Sequence, residues 1–216
     1  MKYTSNLLGG FQTSPGAAVH HTKAAIRINE AYAKREALNG DKTRSKGEKS
    51  PMFKMLSEQY DKALASSLDA YQKFLGEQLD AHEKAEAAML NRVSLVDAVQ
   101  IVASLRAAGL NGDALSKAAA GNVEIATAMA RVPSELSQWS ADTAKATLLR
   151  HYPDHVAAVE QLEHDYRAFQ SLQKTAAQTV RELSYDVDEQ ALQSRFDAES
   201  LQGELGAPST SAEGAE

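Results

Sequence analysis

Residues 60–90 read YDKALASSLDAYQKFLGEQLDAHEKAEAAML. Within this stretch Tyr60, Leu64, Leu68, Tyr71, Leu75, Leu79, His82, Glu86 and Met89 are spaced 4-4-3-4-4-3-4-3, which keeps one side of a helix mostly apolar. Ser50-Pro51 supplies a start, since proline is tolerated at the first helical position. The spacing therefore predicts a helix over about 51–90. A second run, Leu162, Tyr166, Phe169, Gln173, Ala176, Val180, Leu183 and Val187, follows a 4-3 alternation, the spacing of a coiled-coil seam, inside a periodic stretch from 154 to 201. The packing seam predicted from the two runs comprises Leu64, Leu68, Tyr71, Leu75 and Leu79 on one helix and Leu162, Tyr166, Phe169, Val180 and Leu183 on the other.

Between the two runs the punctuation is dense. Ser94 and Asp97 form the pattern of a capping box, Gly109 and Asn111-Gly112 a stop, and Gly121-Asn122, Pro133-Ser134 and Ser140 further boundaries. Residues 94–152 thus read as a head of four or five short helices, unless the first long helix continues to Ala108. The economical fold is all-α: an elongated antiparallel helical hairpin or coiled coil, 51–90 against 154–201, with this small helical head and disordered termini. One conflict stands in that picture. A 4-4-3 repeat drifts right-handed and a 4-3 repeat winds left-handed, so the stripes pair over part of their length or each meets a further helix, which a second copy could supply.

The chain divides by charge as well. Residues 1–50 hold nine Lys or Arg against four Asp or Glu, and the whole chain of 216 residues has a net charge of −6. Residues 1–50 read as a flexible basic arm with one helix over about 17–38 and a polar linker after Asn39-Gly40. Residues 51–201 read as the helical body, and 202–216 as a disordered acidic tail. In the arm Lys23, Arg27, Lys34, Arg35, Lys42, Arg44, Lys46 and Lys49 make a cationic cluster, the best candidate contact for a partner or for nucleic-acid phosphate through residues 23–49.

No catalytic or cofactor constellation stands out. Without cysteine there is no disulfide framework and no thiolate nucleophile. Gly47-Glu48-Lys49-Ser50 lacks both the strand and the Gly-Lys junction of a phosphate-binding loop. Glu160 is followed three residues later by Glu163, where a carboxylate-bridged metal bundle needs histidine. His151 and His155 lie four apart, but Pro153 breaks a shared helical face, and a histidine at a helix end bonds to terminal carbonyls more readily than to a metal. The reading is of a protein with no catalytic, cofactor or metal residues. No stretch has the length and hydropathy of a membrane span, which sets the expectation of a cytoplasmic or virion-enclosed protein with no membrane contact.

The run VEIATAMARVPSELS, Val123 to Ser137, resembles segments of helical phage and prophage proteins. The order of a basic arm and an acidic helical body is similar to that of virion-assembly spacers and scaffolds. The resemblance implies a structural, assembly or scaffolding role in a phage virion or as an accessory protein, with self-association and other protein partners. The alternative is a nucleic-acid-associated protein that binds phosphate through the basic arm.

Overall fold

The computed structural model describes residues 12–185 and 205–206. Among these the chain is all-helical, with α1 (Pro15–Gly40), α2 (Lys46–Leu90), α3 (Leu95–Ala107), α4 (Gly112–Gly121), α5 (Val123–Arg131), α6 (Ser134–Ser137), α7 (Ala141–Leu149) and α8 (Pro153–Ser184). The helices fall into two compact units: residues 1–76 with 163–216, and residues 77–162. The expected disorder of residues 1–11 and of most of 202–216, and the helix over 186–201, lie outside the described residues.

The first unit is built from α1, the first part of α2 and the last part of α8. Its directions follow from residue pairs. Lys49 meets Asn39 and Arg27 meets Ala63, while His20 stacks on Tyr71, so α1 and α2 run antiparallel. Ser14 binds Asp165 and Tyr32 binds Glu182, so α1 and this part of α8 run parallel. Of the two ways out of the conflicting repeats, a further helix is the one present in this unit, and it is α1 of the same chain rather than a second copy.

That placement corrects the reading of residues 1–50 as a flexible arm. Ala17, His21, Ala24, Arg27, Ile28, Ala31 and Leu38 of α1 are buried, and small residues at 17, 24 and 31 let the helix approach closely. Gly16 has the same role at the N-terminal end: a Cβ there would come within 2.6 Å of the Phe74 ring. The polar linker is shorter than its composition suggests. Ser45 and Glu48 form a reciprocal capping box, Ser45 N–H to Glu48 Oε2 at 2.7 Å and Glu48 N–H to Ser45 Oγ at 3.3 Å, and this starts α2 at Lys46. Pro51 consequently lies inside the helix rather than at its first position.

The seams need correction too. Leu64, Tyr71, Leu75, Phe169 and Leu183 are buried, Leu68, Leu162 and Val180 are half-buried, and Leu79 and Tyr166 are each 51% exposed. On α2 the buried line runs Leu56, Tyr60, Leu64, Ser67, Tyr71, Leu75 and holds no residue beyond Leu75. Ser67 displaces Leu68 because Arg27 of α1 comes in over this turn and donates to the Ala63 carbonyl, which the Ser67 hydroxyl also reaches at 3.0 Å. On α8 the buried face is turned by about one residue, with Asp165, Leu172 and Thr179 inside in place of Tyr166, Gln173 and Val180. Both polar residues are satisfied where they lie. Thr179 donates to Thr175 O at 2.8 Å, and Asp165 accepts from the Ser14 backbone N–H at 2.8 Å and its hydroxyl at 2.6 Å.

Tyr71 is the hinge of this packing. Its ring meets Phe169 edge-on, with centroids 5.3 Å apart, and its hydroxyl donates to Asp165 O at 3.2 Å. At the other end of the unit Ala31, Leu38, Met52, Phe53, Leu56, Tyr60 and Leu183 form one cluster, and Leu205 belongs to it. Leu205 is only 7% exposed, so this point of the acidic tail is packed rather than disordered.

In the second unit α2 ends at Leu90, and Ser94 starts α3 by accepting from Asp97 N–H at 3.1 Å. Gly109, at φ +79°, closes α3 with paired bonds from Gly109 N–H to Arg106 O and from Leu110 N–H to Leu105 O, the Schellman pattern. Asn122 and Ser140 cap α5 and α7. Four consecutive residues of α5, Ala126 to Met129, are buried, as a helix surrounded on all sides requires. Ala128 and Met129 pack with Val93, Ala98, Val102, Leu115 and Val132, while Ala126 packs with Ala119 and Leu148.

Candidate functional site

The eight cations nominated for a partner lie in the first unit. Arg27 is buried on Ala63 O, as described, and Lys34 reaches the Gly206 carbonyl at 3.1 Å and lies 5.5 Å from the centre of the Tyr60 ring. Burial holds the Lys34 amine below its ordinary pKa, against the opposing charge of Glu30. Arg35 faces Glu182 at 3.7 Å, Arg44 pairs with Asp41 at 3.0 Å, and Lys49 caps the Asn39 carbonyl at 3.4 Å. Lys23 is half-buried, and Lys42 and Lys46 are exposed. The α1–α2 pairing brings these residues to one region but turns most of their charge onto the chain itself. The shared helical face of Lys23, Arg27 and Lys34 that the spacing suggests is an inward-turned face from Arg27 onward.

The second unit holds a polar cluster beside an apolar cleft. His82 and Glu86 stand one turn apart on α2. Glu86 accepts from Lys145 Nζ of α7 at 2.6 Å, and His155 Nε2 of α8 lies 3.5 Å from its other oxygen. The His82 and His155 rings meet edge-on with centroids 5.4 Å apart. The Lys145 hydrogen bond, aided by His155, holds the Glu86 carboxyl below the usual carboxylate range, so Glu86 is an anion at neutral pH and a poor general acid. Next to it Met89, Leu90, Ala130, Ala141, Leu148 and Leu149 line a cleft of about 200 Å³. Pockets that enclose small molecules run from about 300 to 1,000 Å³, so this one has room for an apolar side chain rather than a metabolite.

Sequence reasoning placed His82 and Glu86 on a helical seam, yet did not join them to Lys145 and His155. The signal was the polar interruption itself: two titratable groups four apart on an apolar stripe ask for partners from other helices. The His151–His155 pair does not converge. His151 Nε2 lies 2.8 Å from the Ala119 carbonyl in the last turn of α4, and since a carbonyl only accepts, Nε2 carries the proton. No group of three or more His, Cys, Asp or Glu able to hold a metal exists among the described residues. Nor is any single helix among them long and apolar enough to cross a membrane. No family model, no curated protein and no solved structure matches the chain.

Proposed function

We propose that this is a non-enzymatic structural or assembly protein that self-associates through helix faces. In this reading it is an elongated antiparallel helical hairpin with a small helical head, working in a virion or another cytoplasmic assembly. The observation that carries the reading is the outer face of α3, where Leu95, Val96 and Val99 are 50%, 67% and 37% exposed within five positions. Exposed large apolar residues on a monomer are ordinary singly; three adjoining ones on one short helix suit a partner surface. The resemblance of residues 123–137 to phage proteins favours a virion setting. The alternative, phosphate binding through residues 23–49, is supported less, because Arg27, Lys34, Arg35, Arg44 and Lys49 already have partners within the chain.

Sedimentation of the full chain tests the proposal. Self-association is expected over a micromolar concentration series, with Val96→Glu shifting it toward monomer while helicity is unchanged. A chain that is monomeric throughout, or a Val96→Glu variant that associates like the parent, overturns the role given to α3.

A further inference from the structure

The cluster that closes the first unit contains one residue from beyond α8. Leu205 packs among Leu38, Met52, Phe53 and Leu183, 7% exposed, while the next residue, Gly206, presents its carbonyl to Lys34 Nζ at 3.1 Å. Gly206 adopts φ +64°, a left-handed conformation that a side chain would strain. The contact therefore has the parts of a peptide-recognition site: an apolar socket for one leucine, a cation for the carbonyl that follows, and a turn that favours glycine. Lys34 is itself positioned, lying over the Tyr60 ring. The socket is not filled by Leu205. A cleft of about 190 Å³, lined by Lys34, Ala37, Leu38, Asp41, Arg44, Met52 and Leu205 itself, continues beside it.

We propose that this socket is a peptide-docking site that takes the Leu205–Gly206 segment of a second copy of the chain in exchange for its own. Nineteen residues, 186–204, join Tyr185 to Leu205. The contour length of such a segment is at most about 65 Å, an upper bound that permits Leu205 to reach the socket of another copy. Exchange of identical elements preserves every contact of the socket and adds none that must be newly evolved. In dilute solution a chain's own segment is the one at hand, so it fills its own socket. Crowding copies together, as an assembly does, favours the exchanged arrangement. The docking itself is independent of the function proposed above; only the exchange between copies rests on it.

The probe is a fluorescein-labelled peptide of residues 200–210, titrated by anisotropy into full-length chain carrying Leu205→Ser. Circular dichroism confirms that the variant is folded. It is expected to bind the peptide at least ten-fold more tightly than the parent chain does, since the parent's own tail competes. A peptide with serine at 205 should not bind. If Leu205→Ser does not fold, Gly206→Val, which keeps the leucine, replaces it in the same titration. Absence of saturable binding to a folded variant, or equal binding of the two peptides, overturns the docking site. Sedimentation of the Val96→Glu chain toward millimolar concentration then tests exchange with the α3 face disabled: dimer is expected, and saturating unlabelled peptide should abolish it. A dimer that persists under peptide, or a Val96→Glu chain that stays monomeric throughout, overturns exchange while the docking of Leu205 stands on the anisotropy titration.

Discussion

The three-helix unit closes around Tyr60, Tyr71 and Phe169 and takes His21, Arg27 and Asp165 in with them, whereas the short-helix unit closes around Ala98, Ala119, Ala126, Ala128 and Met129. In the first, long helices bring large side chains together, and the buried polar groups are tied across helices, as Asp165 is to Ser14 and Arg27 to Ala63. In the second, no helix wholly inside the unit exceeds 13 residues, too short to be stable in isolation. Caps and the close approach of alanines hold it instead. One unit thus depends on a few long-range contacts of high value, the other on many local ones of low value.

The largest break in that contrast is expected at Tyr71→Ala. It removes a fully buried ring from between His20 and Phe169, along with the bond to Asp165 O, and should cost about 3–5 kcal/mol by urea denaturation. Hydrogen exchange should show the loss in α1 and the first part of α2, with α4 and α5 less affected. If both units lose protection equally, they are one cooperative block and the contrast fails.

Asp165→Ala is expected to follow, at about 2–3 kcal/mol, because two charge-assisted bonds to Ser14 go with it and the Ser14 donors are left partly buried. Proteolysis near the start of α1 should speed up. An unchanged cleavage pattern would mean that α1 is held by its alanine face alone. On the other side, Ser94→Ala and Asn122→Ala should each cost about 1 kcal/mol, read as a modest fall in thermal midpoint, since each removes a side-chain cap from a short helix. A cost as large as that at Asp165 would show that the short-helix unit rests on fewer contacts than its caps suggest.

The smallest effect is a pH dependence. Burial holds the His21 imidazole below its ordinary pKa of about 6.5, so the unfolded chain takes up a proton that the folded chain resists. The stability that goes with the neutral ring is complete above that unfolded value and is lost as pH falls from it through the lower folded value. Urea midpoints at pH 7 and pH 5 should fall for the parent and fall less for His21→Leu. Equal slopes would assign the acid sensitivity to other groups; Glu86 is not among them, since its carboxyl is held below the usual carboxylate range and its contribution is lost only at pH below this window.

Much of the short-helix unit was legible because its signals are local. Ser94 with Asp97, Gly109, Asn122 and Ser140 each act on backbone groups within a few residues, and the structure uses each in the way its spacing suggests. The three-helix unit was harder to read. Counting apolar residues put Tyr166 and Leu79 inside, yet the structure buries Asp165, Thr179, Ser67 and Arg27 instead. A polar residue is buried when another part of the chain meets its hydrogen bonds, and Ser14 lies 151 residues from Asp165. The Glu86–Lys145–His155 cluster escaped notice for the same reason, since its members come from three helices.

By itself the amino-acid sequence determined that the described chain is helical, where most of the short helices begin and end, and that the two stripes do not share one coiled-coil geometry, because propensity, capping and periodicity operate over one or two turns. Only the tertiary structure decided that α1 supplies a third surface, that the cations of residues 23–49 turn largely inward, and that Leu205 closes the cluster. Those outcomes depend on which distant groups complete one another's packing and hydrogen bonds, and local spacing carries no record of that choice.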